Sequence, residues 1–499
     1  MTSIETYHTS AIAKLKNASL FIQDAFIDGH WVSNGDKFDV YEEPSTATVL
    51  GQVVSCSLED FRKAIKSASL AQPRFFERTT AAGRGALLRK WHDLIIANKE
   101  DLAIILCLEN GKTVSEALGE VTYAASFISW FAEEATRSYG VTIPSSSPNT
   151  SLMTIHEPVG VCGIITPWNF PAAMITRKIA PALAAGCSVV IKPPSETPFS
   201  CLALAKLAVE AGLPPATIQV CPTKDRQAAT ELAINPLVKK ISFTGSTAVG
   251  KMLAKLSAET LKKVSLELGG NAPFIVFNDA DIDLAVEGAM FCKFRCSGQT
   301  CVCANRFYVQ SGVVKTFTQK LVLKVNALHM GAGLDTATTQ GPLVNKAAVD
   351  KVQAHIADAT SKGAKVEAGG SGHGSCGYFH QPTVLSGVSQ DMQVAKEETF
   401  GPLAAIIVFE EEQDAIRLAN DTEFGLAGYF YSKDVSRVMR VAQRMQVGMV
   451  GVNTGKISAA EAPFGGIKES GYGKEGSLYG LREYQTTKSI TIGNLDTSA

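Results

Sequence analysis

Three cysteines lie within eight positions of the chain, at Cys296, Cys301 and Cys303. Cysteines this close together can bind a metal, form a disulfide or supply a nucleophilic thiol. A metal is the weakest of these, because a single residue separates Cys301 from Cys303 and a zinc knuckle needs a longer spacing. Taken alone, the stretch is equally compatible with a nucleophile and with small buried core residues.

The composition is that of a globular protein with two large domains. The chain has 499 residues, of which 45% are hydrophobic and 19% charged, enough to bury large cores. The net charge of −1 gives no electrostatic reason to bind nucleic acid or an anionic membrane surface. No apolar stretch has the length that crosses a bilayer. We therefore expect a small-molecule partner, with no nucleic acid and no membrane.

The cysteines and the N-terminus predict a cytoplasmic protein. The eleven cysteines are odd in number, and some lie inside apolar runs, as Cys162 and Cys187 do. Reduced thiols are used in this way. Residues 1–17 have neither the apolar core of a secretion signal nor an arginine, and Glu5 disfavours a mitochondrial targeting segment. Mitochondrial import is the alternative.

From Val161 onward, short apolar strands alternate with helices. This order predicts a parallel, doubly wound sheet whose ligands lie at the carboxyl ends of the strands. Those ends are Thr166–Asn169, Lys192–Ser195 and Phe243–Ser246. The dinucleotide motif Gly-x-Gly-x-x-Gly is absent, but Gly245–Gly250 is a looser relative that offers backbone N–H groups to a phosphate. A plain strand-to-helix turn is equally compatible with it.

The motifs carry a family resemblance when they are taken together. In chain order they are Pro167–Pro171, Lys192–Pro193, Phe243–Ser246, Glu267–Gly270, Gly298–Cys301, Glu398–Pro402 and Pro463–Gly466. Their order and spacing resemble the aldehyde dehydrogenase superfamily over about Phe21 to Asn494. Within it, Ala173–Lys178 and Lys293–Arg295 are similar to the branch that oxidises succinic semialdehyde.

The resemblance implies a covalent mechanism and three catalytic residues. Cys301 would be the nucleophile that adds to the aldehyde carbonyl. The side-chain amide of Asn169 and the backbone N–H of Cys301 would stabilise the oxyanion. Glu267 would activate the water that hydrolyses the thioester. Lys178 would lie near the oxyanion side, in either a structural or a catalytic role.

The resemblance also implies NADP, NAD or both as cofactor. In NAD-preferring relatives a glutamate lies three residues after the lysine and binds the adenosine ribose, whereas this chain has Ser195 there and Glu196 one residue later. A serine does not repel a 2′-phosphate, and Lys192 can pair with it, so we expect NADP to be accepted. The implied cofactor-binding residues are Thr166, Pro167, Trp168, Lys192, Ser195, Gly245, Ser246, Leu268, Glu398 and Phe400.

A small aldehyde with a distal carboxylate is the expected substrate. Arg177 and Arg295 are the candidate cations for that carboxylate, because arginine binds carboxylates bidentately. By resemblance, Ser458 would be a third contact and Phe464 would flank the aldehyde. The main expectation is oxidation of succinic semialdehyde to succinate, which the resemblance connects with degradation of 4-aminobutyrate. Alternatives are a glutarate-semialdehyde or broad-specificity aldehyde dehydrogenase, and a binding protein that has lost the chemistry.

Cys303 is a redox candidate. A reversible Cys301–Cys303 disulfide would switch the enzyme off under oxidising conditions, although so short a ring is strained.

The predicted fold is α/β, similar to the aldehyde dehydrogenases. A Rossmann-type doubly wound cofactor domain comprises residues 1–138 and 158–266, and an α/β catalytic domain comprises residues 267–480. Residues 139–157 and 481–499 are a β-hairpin and a β-rich tail that extend from this body. Because exposed strand edges pair with other chains, we expect them to form a homodimer or homotetramer. A surface hairpin without a partner is the alternative.

Overall fold

The computed structural model describes residues 11–41, 48–372, 374 and 377–495. Most of the N-terminal stretch used to predict localisation, residues 1–10, therefore lies outside the described residues. Among the helices that are described, none is both long and apolar enough to span a bilayer.

The first sheet is the parallel, doubly wound sheet that the sequence predicts. Its strand order is β2-β1-β9-β8-β7-β10-β11-β21, in which β7 to β11 run parallel to one another and the edge strands β1, β2 and β21 pair antiparallel. Along β8, Val189 and Ile191 face one hydrophobic core while Val190 faces another, so helices cover both sides. The elements in chain order are β1 (Ala25–Ile27), β2 (His30–Val32), β3 (Lys37–Tyr41), β4 (Val49–Val54), α1 (Leu58–Arg78), α2 (Ala81–Ala97), α3 (Lys99–Asn110), α4 (Val114–Glu134), β5 (Thr142–Ile143), β6 (Ser151–Pro158), β7 (Val161–Ile165), α5 (Ala173–Ala185), β8 (Ser188–Lys192), α6 (Phe199–Glu210), β9 (Ile218–Val220), α7 (Arg226–Ile234), β10 (Val238–Thr244), α8 (Thr247–Ala258) and β11 (Lys263–Glu267).

The second sheet has the order β14-β15-β16-β13-β12-β18-β19 and is parallel except for β14. On β12, Phe274 and Val276 face one core and Ile275 faces the other. Its elements are β12 (Ala272–Val276), α9 (Ile282–Lys293), β13 (Ala304–Gln310), α10 (Val314–Asn326), α11 (Lys346–Ser361), β14 (Lys365–Ala368), β15 (Thr383–Ser386), α12 (Gln393–Lys396), β16 (Leu403–Phe409), α13 (Glu412–Asn420), β17 (Phe424–Gly425), β18 (Ala427–Tyr431), α14 (Val435–Arg444) and β19 (Met449–Val452).

The chain then returns to the first sheet. The last elements are β20 (Ile467–Lys468), β21 (Gly471–Tyr472), α15 (Ser477–Arg482) and β22 (Gln485–Ile492). Strand β21 pairs antiparallel with β11, with Gly471 opposite Glu267. Residues 471–472 were predicted to belong to the catalytic domain at 267–480, but they complete the edge of the first sheet. A strand of two residues carries too little pattern for sequence reasoning to place.

The predicted hairpin and tail pair with each other. Strands β5, β6 and β22 form an antiparallel sheet in the order β22-β6-β5, with Gln485 opposite Pro158 and Ile492 opposite Ser151. This small sheet is separate from the two large ones. Its role in oligomerisation remains a prediction.

Candidate active site

Three neighbouring cavities lie at the carboxyl ends of strands β7, β8 and β10. We call them outer, central and inner, and their volumes are about 650, 230 and 70 Å³. The outer and central cavities share Trp168 and Gly245, and the central and inner cavities share Cys301. Cys301 therefore stands where a large ligand from one side meets a small one from the other.

All but one of the sequence-predicted site residues line these cavities, the exception being Cys303. Those of the outer cavity are Thr166, Pro167, Trp168, Lys192, Ser195, Gly245 and Ser246. Those of the central cavity are Pro167, Trp168, Asn169, Gly245, Ser246, Glu267, Leu268, Cys301, Glu398 and Phe400. Those of the inner cavity are Arg177, Arg295, Cys301, Ser458 and Phe464.

The outer cavity has the features of a phosphate-binding strand end. Helix α8 begins at Thr247, and the side chain of its N-cap, Ser246, makes no hydrogen bond to the first turn. The first backbone N–H groups therefore stay available to an anion. A Cβ on Gly245 would come within 2.4 Å of the Phe243 ring, so the turn into this helix requires glycine. Lys192 ends β8 in the same cavity, and burial lowers its pKa.

Glu196 is a second charged residue of the outer cavity, and its carboxylate opposes the binding of a 2′-phosphate that was predicted from Lys192 and Ser195. The Ser195 hydroxyl donates a hydrogen bond of 3.1 Å to Glu196 Oε2, and both residues line the outer cavity with Lys192. A carboxylate thus stands beside the lysine after all, one residue later than in NAD-preferring relatives. Lys192 and Glu196 therefore place opposite charges at the same rim of the outer cavity.

The central cavity continues the outer one toward Cys301. Trp168 and Phe400 meet edge to face across it, with ring centroids 5.8 Å apart. Glu398 accepts a hydrogen bond of 3.1 Å from the Gly270 N–H, and burial raises the pKa of Glu398 to about 7. The Glu398 carboxylate can accept hydrogen bonds from ribose hydroxyls, and the aromatic side chains can pack against a flat ring. The residues present therefore fit a nicotinamide dinucleotide lying through both cavities.

Cys301 differs from the other described cysteines in its exposure. Ten of the eleven cysteines lie in the described ranges; nine of these are buried, and Cys301 alone is partly exposed. It faces the central and inner cavities, as a nucleophile must and a core residue does not. This exposure favours the nucleophile over a core residue, and the assignment of Cys301 as the nucleophile stays a prediction.

The loop before Cys301 is held in an unusual conformation. Cys296, Ser297 and Gly298 have φ angles of 49°, 54° and 72°, a left-handed turn that is strained at the two non-glycine residues. Two hydrogen bonds hold it: the Cys296 N–H donates to Glu116 Oε1 at 2.6 Å, and the Ser297 hydroxyl donates to the Gly341 carbonyl at 2.6 Å. After this turn, Thr300 and Cys301 line the inner cavity.

Glu267 is placed to exchange a proton with Cys301. It ends strand β11, and neither of its carboxylate oxygens has a well-aligned hydrogen-bond partner among the described residues. Burial raises the pKa of Glu267, and burial together with the nearby Glu267 charge raises the pKa of the Cys301 thiol. The resting pair therefore favours a neutral thiol, and Glu267 is the available acceptor for its proton.

Asn169 is anchored against the backbone of the nucleophile loop. Its Nδ2 donates a hydrogen bond of 3.0 Å to the Gln299 carbonyl, and its Oδ1 accepts one of 3.1 Å from the Phe170 N–H. An amide nitrogen has two hydrogens, so one donor remains on the cavity side. This agrees with the oxyanion role expected for Asn169.

Two buried residues that sequence reasoning missed hold Asn169 in place. Lys112 Nζ donates to the Asn169 carbonyl at 2.8 Å and is paired with the buried Glu120. The other Glu120 oxygen accepts the Ala172 N–H at 2.9 Å at the start of helix α5. A lysine in the short loop between α3 and α4 and a glutamate within α4 normally indicate solvated positions, so no sequence signal marked these two as buried.

The inner cavity holds two arginines, and they are not equivalent. Arg177 Nε lies 2.5 Å from Glu475 Oε2, and its guanidinium lies 3.9 Å from the centre of the Phe464 ring. Arg295 packs on Phe291 at 4.5 Å, and among the described residues no carboxylate forms an ion pair with it. Its buried Nε has no hydrogen-bond partner there either. Arg295 is thus the less compensated cation facing this cavity.

Glu475 was not predicted from the sequence. It forms buried ion pairs with both Arg177 and Lys178. Burial opposes ionisation of Glu475, but these two cations lower its pKa. Lys178 is therefore paired with a carboxylate beneath the site.

Cys303 lies outside the cavities and is buried. Its sulfur is 3.0 Å from the Thr300 hydroxyl, and these two groups share a hydrogen bond. Cys301 and Cys303 are free thiols in this structure. The redox pairing of Cys301 with Cys303 stays a prediction.

Comparison with known proteins agrees with this geometry. A model of the aldehyde dehydrogenase family matches residues 31–490. The NADP-dependent succinate-semialdehyde dehydrogenase of Escherichia coli is 53% identical over 96% of this chain and all of its own length. The glutarate-semialdehyde dehydrogenase of Pseudomonas aeruginosa is 51% identical over 97% of this chain and all of its own length.

A solved structure gives the same result for the fold. The succinate-semialdehyde dehydrogenase of Burkholderia pseudomallei superposes with a TM-score of 0.94 at 52% identity, covering 96% of this chain and all of that one. The resemblance and the fold class predicted from the sequence are confirmed. This chain belongs to the aldehyde dehydrogenase family.

Proposed function

We propose that this protein oxidises succinic semialdehyde to succinate with NADP or NAD. The observation that carries the proposal is the position of Cys301 at the junction of a dinucleotide-shaped space and a small cavity lined by arginine. The E. coli relative, named for succinic semialdehyde and NADP, supports the same assignment. The match spans nearly the whole length of both chains.

The chemistry begins at the Cys301 thiol. Glu267 accepts its proton, and the thiolate adds to the aldehyde carbon to form a hemithioacetal whose oxyanion accepts hydrogen bonds from Asn169 and the Cys301 N–H. The bound cofactor supplies a hydride acceptor at the nicotinamide ring. With the hydride gone, the substrate carbon is a thioester on Cys301.

The second half of the reaction is hydrolysis. Glu267 first releases the Cys301 proton to solvent and then takes a proton from water, the water oxygen adds to the thioester carbon, and the carbon–sulfur bond breaks with the sulfur leaving as a thiolate. Succinate leaves, and Cys301 is regenerated. The same two oxyanion donors serve both halves, because the charge develops on the same carbonyl oxygen.

The cofactor contacts follow from the cavity walls. Lys192 and Ser195 would face the adenosine ribose, and the start of helix α8 at Ser246 would face the pyrophosphate. Glu398 would bind the nicotinamide ribose, with Phe400 packed beside the ring. Trp168, Thr166, Pro167, Gly245 and Leu268 complete the walls.

Glutarate semialdehyde is the second candidate substrate. The P. aeruginosa relative is named for it at nearly the same identity. One methylene is worth only about 1–3 kcal/mol in a binding pocket, so relatives this similar can differ in chain-length preference.

We also propose that the β5-β6-β22 sheet joins subunits of a homodimer or homotetramer in the cytoplasm.

Initial rates over an aldehyde panel test the function. The panel is succinic semialdehyde, glutaric semialdehyde and uncharged butanal, each with NADP and with NAD. We expect kcat/KM for succinic semialdehyde to exceed that for butanal by a factor of about 30 or more, the value of a buried carboxylate–arginine contact. A higher kcat/KM for glutaric semialdehyde would select the second candidate, and equal values for all three would reject both.

The two arginines are expected to differ in effect. Arg295→Ala should cost about 2–5 kcal/mol of transition-state binding for succinic semialdehyde, seen as a lower kcat/KM, because it removes the cation that is free to bind the substrate carboxylate. The value of kcat/KM for butanal, which has no carboxylate, should stay nearly unchanged. Arg177→Ala should impair both aldehydes, since it also removes one of the two cations that pair with the buried Glu475 beneath the site. Steady-state kinetics of both variants give the comparison. Equal losses on both aldehydes in Arg295→Ala would reject the carboxylate-binding role.

Cofactor preference is expected to follow Ser195 and Glu196. Ser195→Glu should lower the NADP-to-NAD ratio of kcat/KM by about 10- to 100-fold, because a second carboxylate repels the 2′-phosphate and competes for Lys192. Glu196→Gln should raise the same ratio. Both ratios come from initial rates with saturating aldehyde. An unchanged ratio in both variants would place the 2′-phosphate elsewhere.

A further inference from the structure

Tyr123 contributes a polar group to the inner cavity that the mechanism above does not use. It lines this cavity together with Arg177, Arg295 and Ser458. The residue is partly exposed, and its hydroxyl oxygen is buried, with the Ser458 hydroxyl approaching it as a hydrogen-bonding group but without a well-aligned bond. Leaving a buried hydroxyl unsatisfied costs about 1–3 kcal/mol. One neighbouring hydroxyl does not fill the capacity of a phenol group, and in the wall of a cavity the remaining capacity points to a ligand.

The position of the hydroxyl is fixed by a rigid helix. Tyr123 lies on α4, where its ring packs edge to face on Phe127 one turn later, with centroids 4.9 Å apart. The Phe127 ring in turn lies 5.4 Å from the Arg177 guanidinium. A capping box between Thr113 and Glu116 starts the helix. Glu116 also accepts the Cys296 N–H, so the same helix holds the nucleophile loop.

The surroundings of the hydroxyl favour an anionic ligand. Both Arg177 and Arg295 act on it electrostatically, and Ser458 lies beside it. Cations attract the lone pairs of the phenol oxygen, which leaves its proton directed away from them. Burial raises the pKa of Tyr123, so the group stays a proton donor through neutral pH.

We propose that Tyr123 is a substrate-binding residue whose hydroxyl, beside Ser458, donates a hydrogen bond to the distal carboxylate of the semialdehyde. The assignment rests on the proposed function and deepens it. Because α4 sets the distance between this hydroxyl and the nucleophile loop, Tyr123 also contributes to the chain length that the cavity accepts. Arg295 supplies charge, while Tyr123 and Ser458 supply the neutral donors for the remaining lone pairs of the carboxylate.

The variant Tyr123→Phe removes the hydroxyl and keeps the ring. We expect KM for succinic semialdehyde to rise about 10- to 100-fold, the value of a hydrogen bond to a charged group, with kcat within about twofold of the parent. Kinetics with butanal should not change. Competitive inhibition by succinate should weaken by the same factor as KM rises, which a loss of folded protein alone would not produce.

Tyr431→Phe is the matched control. Its hydroxyl is also buried and has no hydrogen-bond partner in the described part of the chain, but it lies in the core of the second sheet and not in the three cavities. This variant should leave KM for both aldehydes unchanged. Tyr123→Met is a second test variant, and it must show the same separation between the two aldehydes if Tyr123→Phe does not fold.

Two outcomes overturn the assignment in different ways. In the first, the parent prefers succinic semialdehyde to butanal, but the Tyr123 variants leave KM for both aldehydes unchanged or raise both by the same factor. The role of Tyr123 is then wrong, and the proposed function stands. If the parent itself shows no preference for the charged aldehyde, the proposed function fails, and the role of Tyr123 fails with it.

Discussion

Cys301→Ala is expected to lower kcat for succinic semialdehyde by on the order of 10⁴-fold or more, because removal of a covalent nucleophile leaves only binding to act on the substrate. The expectation depends on the exposure of Cys301 to the central and inner cavities. Cofactor binding should persist, since the outer cavity does not include this residue. NADPH formation at 340 nm, with cofactor titration in parallel, measures both.

Cys303→Ala is the control for this loss. Cys303 is a buried thiol two residues away that lines none of the cavities. Its replacement should leave kcat within a few-fold of the parent. It should also abolish reversible inactivation by peroxide if the Cys301–Cys303 disulfide forms. Activity of Cys301→Ala within tenfold of the parent would remove Cys301 from the mechanism.

Glu267→Gln is expected to separate the two halves of the reaction. Thioester hydrolysis loses its base, so steady-state kcat should fall by about 10²- to 10⁴-fold. Thioester formation does not need the activated water, so a burst of about one NADPH per Cys301 should remain. The burst should be slower than in the parent, because the Cys301 thiol must then lose its proton to solvent instead of to Glu267. Stopped-flow absorbance resolves the burst from the slow phase. Loss of the burst together with the slow phase would show that the first half also requires Glu267, and would contradict its assignment as the base that only hydrolysis requires.

The pH dependence carries a second signature of Glu267. Burial raises the pKa of its carboxyl, so its base form is lost at a higher pH than for an exposed glutamate as the solution is acidified. The acid limb of kcat in the parent should therefore lie above the usual range of glutamate pKa values. Glu267→Gln should flatten that limb, whereas an unchanged limb would assign it to another group.

The sequence predicted the groups that meet at the cavities better than the groups beneath them. Cys301, Asn169 and Glu267 stand in short motifs at strand ends, where parallel topology brings them to one edge of a sheet. Glu120 and Glu475 lie in helical or irregular sequence, and only the packed structure shows that they neutralise Lys112, Arg177 and Lys178. Partner choice across hundreds of residues has no local pattern.

The fold shows the same division. Alternating apolar strands and helices predicted the doubly wound sheet, because each strand buries both of its faces. The return of Gly471–Tyr472 to the first sheet was missed, since so short a strand has no period. The unequal roles of Arg177 and Arg295 were missed for the same reason as Glu475: a charge partner decides them, and it lies far away in sequence.

Peptide mass spectrometry of Glu267→Gln tests the central claim most directly. The variant is mixed with succinic semialdehyde and NADP, quenched in acid after the burst and digested. The peptide that contains Cys301 should carry the added mass of one succinyl group, and this mass should be absent without NADP. A succinyl group on a different residue, or none on Cys301 despite a full burst of NADPH, would contradict the account.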